Sequence, residues 1–170
     1  VQTLAFSQQF LHEVVYETVL KRDRRRLHAL AAQWLLDQAA QGGYLEIGAA
    51  AEHLEKAGEV ARACACFADA ADQARQRFAH EAVQGYVARA LALLAQPVPA
   101  EPAPAGLPDA APVGPSRDLL ALRWRLLDVR ERTLDLQGRR PEQRADLDCL
   151  AAVADALDDD TRRAELALRN

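Results

Sequence analysis

Seven of the eight prolines in this 170-residue chain fall between residues 96 and 116, in QPVPAEPAPAGLPDAAPVGPS. Proline lacks an N–H and clashes with the preceding turn of a helix, so this block cannot be helical and is expected to be an extended linker. It divides the chain. On both sides proline is nearly absent and apolar residues recur at three- and four-residue spacing, which predicts helices. About a fifth of the residues are alanine, the strongest helix former and small enough to let helices approach closely. Runs of Val, Ile, Thr and aromatics are scarce, so strands are not expected. The exception is Thr3–Ser7, TLAFS, which could form one short strand.

Before the linker, Phe10, Leu11, Val14, Val15, Thr18 and Val19 mark a first helix. Leu27, Leu30, Ala31, Trp34, Leu35 and Gln38 mark a second, with Leu27, Leu30 and Trp34 as its expected buried stripe and Gln41-Gly42-Gly43 as its stop. Ile47, Ala50, Ala51 and Leu54 line a third face, broken at Gly58. Ala63, Phe67, Ala70 and Ala74 start another, and a helix over roughly His80–Leu94 carries Val83, Tyr86, Val87, Ala90, Leu91 and Leu94. After the linker, Ser116 is placed to cap a helix bearing Leu119, Leu122, Leu126, Val129, Thr133 and Leu136, with Gly138 ending it. Pro141 suits the first turn of the next helix, which should bury Ala145, Leu147, Leu150, Val153, Ala154 and Leu157. Asp158, Asp159 and Asp160 are read as caps of a last helix rather than as a cation site, because carboxylates are favoured beside helix N-termini.

Few kinds of chemistry survive inspection. The phosphate-binding loop of ATPases needs a glycine-rich turn followed by lysine, and no glycine here precedes a lysine. HEVVY from His12 and HEAVQ from His80 resemble the zinc motif H-E-x-x-H, but Tyr16 and Gln84 stand where the second histidine must be. Cys64 and Cys66 point in different directions on a helix and, with Cys149, are expected to be small buried thiols. The sparse cysteines fit a reducing compartment, hence a cytoplasmic protein. Ser7 and Ser116 are the only serines, and neither has a partner set for nucleophilic catalysis. No cofactor, metal or catalytic residue is expected. The chain contains no methionine, so it is read as a piece of a longer protein.

The densest charge near the start is KRDRRRLH, Lys21 to His28. Lys21, Arg22, Arg25 and Arg26 are its candidate partner or phosphate contacts. With Glu17 placed for a pair with Lys21 and Asp23 for one with Arg26, the plainest reading is a solvated face. Docking of another domain comes next and nucleic-acid contact last, since the net charge is −4 and the pI about 5.6, against a pI above roughly 9 for typical nucleic-acid binders.

Two resemblances add to this. KAGEVARACACFADAA resembles a tetratricopeptide repeat, in which paired helices cross at small residues. Ala51 and Leu54 match the first helix, Gly58 the turn, and Ala63, Phe67 and Ala70 the second helix. Ala82, Tyr86 and Ala90 look like a further second helix. Ile47 stands where tryptophan is common, and the closing proline is absent. LAFSQQFLHEVVYETVLKRDRRRLHALAAQWL resembles the end of the winged-helix segment of bacterial signal-transduction ATPases with numerous domains. That family includes AAA-type transcriptional regulators and relatives of class III cyclases. The matching residues are Phe6, Glu13, Val14, Tyr16, Leu20, Arg25, Leu27, His28, Ala32 and Leu35, with Gln8 where a histidine is common.

The resemblances imply an all-α chain of helical hairpins stacked as a tetratricopeptide-like right-handed solenoid behind a short winged-helix remnant. Residues 1–41 would be that remnant, 44–95 helical repeats, 96–116 the linker, and 117–170 a further hairpin and the start of a truncated helix. The implied function is a non-enzymatic interaction or sensor scaffold of a larger signalling ATPase. Its partner would be a protein or a neighbouring domain of the parent chain, with a small effector allowed and no membrane. The alternative is a nucleic-acid-binding module acting through residues 21–26.

Overall fold

A computed structural model of the chain describes residues 9–40, 47–96 and 116–169. The strand expected at Thr3–Ser7, the stop at Gln41–Gly43 and residues 97–115 of the proline block lie outside these, as do the side chains of Phe10 and Leu11. The described residues form eight helices and no strand: α1 (Gln9–Thr18), α2 (Lys21–Ala40), α3 (Ile47–Ala57), α4 (Val60–Gln76), α5 (His80–Ala95), α6 (Arg117–Leu136), α7 (Arg140–Leu157) and α8 (Asp160–Ala167). From α2 to α8 each helix packs on the next in chain order, and α6 also reaches back to α4.

Four of the connections share one design. Gly58, Phe78, Gly138 and Asp158 each adopt positive φ just past a helix end. At each, the left-handed residue donates its N–H to the carbonyl three residues back, at 2.9–3.1 Å. The following residue donates to the carbonyl five back: Glu59 to Leu54, Ala79 to Ala74, Arg139 to Leu134 and Asp159 to Ala154. This pair of bonds is the Schellman motif, which satisfies carbonyls a helix end leaves unpaired. Phe78 follows Gly58 by 20 residues, as Asp158 follows Gly138. That unit is longer than the roughly 17 residues a tetratricopeptide pair allots to each helix and turn. Ser116 caps α6 by accepting from the Leu119 N–H at 3.3 Å. Of the three aspartates, Asp159 is the cap of α8, accepting from the Arg162 N–H at 3.1 Å, while Asp158 closes α7.

The first core gathers α2 to α6 around Phe67, which is fully buried with Ala51, Leu54, Ala63, Cys64, Ala71, Val83, Val87 and Ala90. The second gathers α6 to α8 around Trp124, Leu127, Leu150 and Leu157. α6 serves both, with Leu126 and Val129 on one side and Trp124 and Leu127 on the other. The repeat-like residues Ala51, Leu54, Ala63, Phe67, Ala70 and Ala90 are buried, and Ala82 and Tyr86 are half-buried. Tyr86 lies so close over Gly48 that a Cβ there would meet its ring at 2.5–2.8 Å.

Paired ions tie the helices. Arg89 of α5 bridges Glu52 at 2.7 Å and Glu55 at 2.6 Å on α3, and its guanidinium lies 5.3 Å over the Phe67 ring. Arg125 of α6 binds Asp69 at 2.8 Å and Asp72 at 2.5 Å on α4. Arg130 holds the buried Asp146 of α7 with two bonds, at 2.8 and 2.5 Å.

Three expectations about burial are corrected. Leu136 is 66% exposed because α6 ends there and the chain turns away. Ala145 is exposed on α7 while the polar Asp146 takes the inward place, held by Arg130. Cys149 is exposed, one residue off the Leu147–Leu150 face, whereas Cys64 is buried and Cys66 half-buried.

Phe78 is the one bulky residue among the four left-handed turn positions, and it is 74% exposed. A non-glycine residue there carries about 1–2 kcal/mol of strain. Phe78→Gly should therefore raise unfolding free energy by about 1 kcal/mol, and Gly138→Ala should lower it by a similar amount. Urea denaturation of the two variants checks both signs.

Candidate functional site

The corner where α1, α2 and α3 meet gathers part of the basic run, including Lys21 and Arg25. α1 ends at Thr18, and the Arg24 N–H to Leu20 carbonyl bond, 2.9 Å, opens α2. The break brings the end of α1 beside Arg24 and His28 of α2. Glu17 consequently pairs with Arg24 at 3.0 Å rather than with Lys21, because the two helices are not continuous. Arg24 also stacks 5.0 Å from the Tyr16 ring centre. Asp23 lies 3.8 Å from Arg22 instead of reaching Arg26.

A hydrogen-bonded chain runs through this corner. The Tyr16 hydroxyl lies 2.8 Å from Nε2 of His28, and Nδ1 of His28 lies 2.8 Å from Nδ1 of His53 on α3. A neutral imidazole has one N–H and one bare nitrogen, so one of the two must donate and the other accept. Protonating both would set two N–H groups head to head. Burial is the main cause holding both imidazoles below their ordinary value of 6.5, with Lys56 adding to it for each and His53 also acting on His28. Glu52 opposes this at His53.

Beside the chain opens a cavity of about 380 Å³ lined by Tyr16, Lys21, Arg24, Arg25, Glu55, Lys56 and Gly58. The structure thus brings Lys21 and Arg25 together and adds Arg24 and Lys56. It places Arg22 and Arg26 elsewhere, exposed along α2. Lys56 was not readable as part of this group, since its nearness depends on how α3 folds back on α2.

The expected buried stripe of α2 is inverted. Leu27 and Leu30 are each 58% exposed and Trp34 56%, while Ala32 is fully buried. α2 has two apolar faces. The inward one, with the buried Ala32 and the half-buried Ala31, Leu35, Leu36 and Ala39, packs toward α3, and the one bearing Leu27, Leu30 and Trp34 is left outside. Leu20, 67% exposed, continues the outer stripe seven residues before Leu27.

Other features offer less. A cavity of about 880 Å³ between α6 and α7 is lined by Glu131, Asp135, Arg132, Arg140, Arg144 and Arg169. There Arg140 is bound to Asp135, and Arg169 to Asp128 and Glu131. Cys64 donates to the Ala90 carbonyl at 3.5 Å, and burial, helped by Glu55, pushes its thiol up to about 11. No group of three metal-ligating side chains occurs among the described residues. None of their helices is long and apolar enough to cross a membrane. No family model matches this chain, and neither a curated protein nor a solved structure matches it.

The histidine pair makes a signed prediction. With folded pKa values below those of the unfolded chain, the pair's contribution to stability is full above pH 6.5 and is lost as pH falls through the folded values. His53→Asn should shrink the loss of stability between about pH 7.5 and pH 5.5, read as the change in urea midpoint. An unchanged loss would remove the pair from the account.

Proposed function

We propose that this chain is a non-enzymatic interaction module, the scaffold or sensor arm of a larger bacterial signalling ATPase. One observation carries the reading. The exposed face of α2 presents Leu27, Leu30 and Trp34, with Leu20 just before the helix, in a stripe with spacing suited to receive another helix. Isolated exposed leucines are ordinary, but a helical stripe including tryptophan is a docking feature. Arg22 and the exposed Arg26 flank it. The occupant that fits is an amphipathic helix of a partner protein or neighbouring domain, with carboxylates along the edge that meets these arginines.

The chain-order packing of α2 to α8 and the recurrent turns support an extended array of helical hairpins. Such arrays act as scaffolds that bind through their surfaces. The longer repeat unit makes the tetratricopeptide likeness one of style rather than register. The resemblance of residues 4–35 to the winged-helix end of signalling ATPases supports this reading, under which the parent protein's output would lie outside this chain. Nucleic acid is the weaker reading. The basic run splits between a cavity and the flank of an apolar stripe, whereas a phosphate backbone is tracked by a row of cations on one face.

A photo-crosslinking residue placed at position 34 of the intact parent protein tests this. It should form a protein adduct that disappears when Arg22 and Arg26 are changed to Glu. Absence of an adduct, or an adduct indifferent to those charges, would sink the proposed surface.

A further inference from the structure

The cavity beside the histidine chain is a different feature from the α2 stripe and carries a separate inference. Lys21, Arg25 and Lys56 make no ion pair with a described carboxylate. Glu55, which also lines the cavity, is engaged by Arg89 at 2.6 Å, and Arg24 is already paired with Glu17. Three cations from two helices, with no ion-pair partner among the described residues, therefore line one concave space. Like charges held together cost free energy unless an anion joins them. Gly58 forms part of the lining, with the Arg25 guanidinium 4.0 Å from where a Cβ would sit. The φ of +86° at Gly58 disfavours any replacement there. Arginine supplies paired donors in a plane, and lysine supplies point charges. That mixture suits the tetrahedral oxygens of phosphate. Tyr16 gives one aromatic wall.

We propose that this cavity binds a dianionic phosphate group, either free phosphate or the terminal group of a small phosphomonoester, held by Lys21, Arg25 and Lys56. The bound anion bridges α2 to α3 at the same corner as His28 and His53. It offsets the charge of Lys56, which depresses both imidazoles, so occupancy raises their pKa values. The cavity's 380 Å³ leaves space for a small ester group beside the phosphate. Saturation with inorganic phosphate alone would assign the free ion, and markedly tighter binding of adenosine monophosphate would assign an ester.

Titration calorimetry of the full chain with inorganic phosphate, and separately with adenosine monophosphate, tests this at constant ionic strength. We expect one saturable site of about millimolar affinity or better. Arg25→Gln and Lys56→Gln should each weaken it by about tenfold, with folding checked by circular dichroism. Arg22→Gln with Arg26→Gln should leave it unchanged, which separates this site from the α2 stripe. In parallel, the imidazole resonances of His28 and His53 should titrate at higher pH in saturating sulfate, an anion that does not itself titrate in that range. Lack of saturable binding of either ligand, equal binding by the Arg25 and Lys56 variants, or binding of duplex DNA without binding of phosphate would overturn the proposal.

Discussion

The close approach of small side chains around Phe67 is the constraint on which the rest of the structure depends. Ala50 and Ala51 on α3, Ala63, Ala68 and Ala71 on α4, and Ala90 on α5 are all buried to within 1% of complete. Alanine faces bring helix backbones near one another but bury little apolar area per residue. One large ring in the middle supplies volume that alanine cannot. The arginine ties then fix register: Arg89 joins α5 to α3 across the face of Phe67, and Arg125 joins α6 to α4. Such pairs are half-exposed, so their value lies more in positioning than in stability.

Packing also explains the exposed stripe on α2. α2 meets α3 with the buried Ala32 and the half-buried Leu35, Leu36 and Ala39, so its other apolar face turns outward. Leu27, Leu30 and Trp34 are then presented to the outside as a ready surface. The corner of α1, α2 and α3 therefore joins three unlike features: an apolar stripe, a cavity rich in basic side chains and a hydrogen-bonded imidazole pair. Through His28, α2 touches both α1 and α3, so a change at one of these features reaches helices that carry the others.

Helix existence and most helix ends were legible, because periodic apolar residues and the turn residues Gly58, Gly138, Ser116 and Pro141 are local signals. The turn at Phe78 was not, since its left-handed backbone is imposed by packing on a residue that does not prefer it. The buried faces of α3, α4, α5 and α7 were largely readable from spacing. That of α2 was not, because periodicity reports that a face is apolar but cannot choose between two apolar faces. The four basic candidates divide in the structure. Lys21 and Arg25 share the cavity, Arg22 and Arg26 leave it, and Lys56, His28 and His53 enter only through tertiary contact. Cys149 was misread because it sits between the exposed Asp148 and the buried Leu150, one residue off the inward face of α7.

The central claim is that α2 faces outward with Trp34. The most direct measurement is acrylamide quenching of tryptophan fluorescence in two single-tryptophan variants. With Trp124 changed to Phe, the remaining Trp34, 56% exposed, should quench nearly as readily as free tryptophan. With Trp34 changed to Phe, the remaining Trp124, 8% exposed, should be well shielded. A shielded, blue-shifted Trp34 would contradict the account, because the stripe would then be buried within the chain and unable to receive a partner.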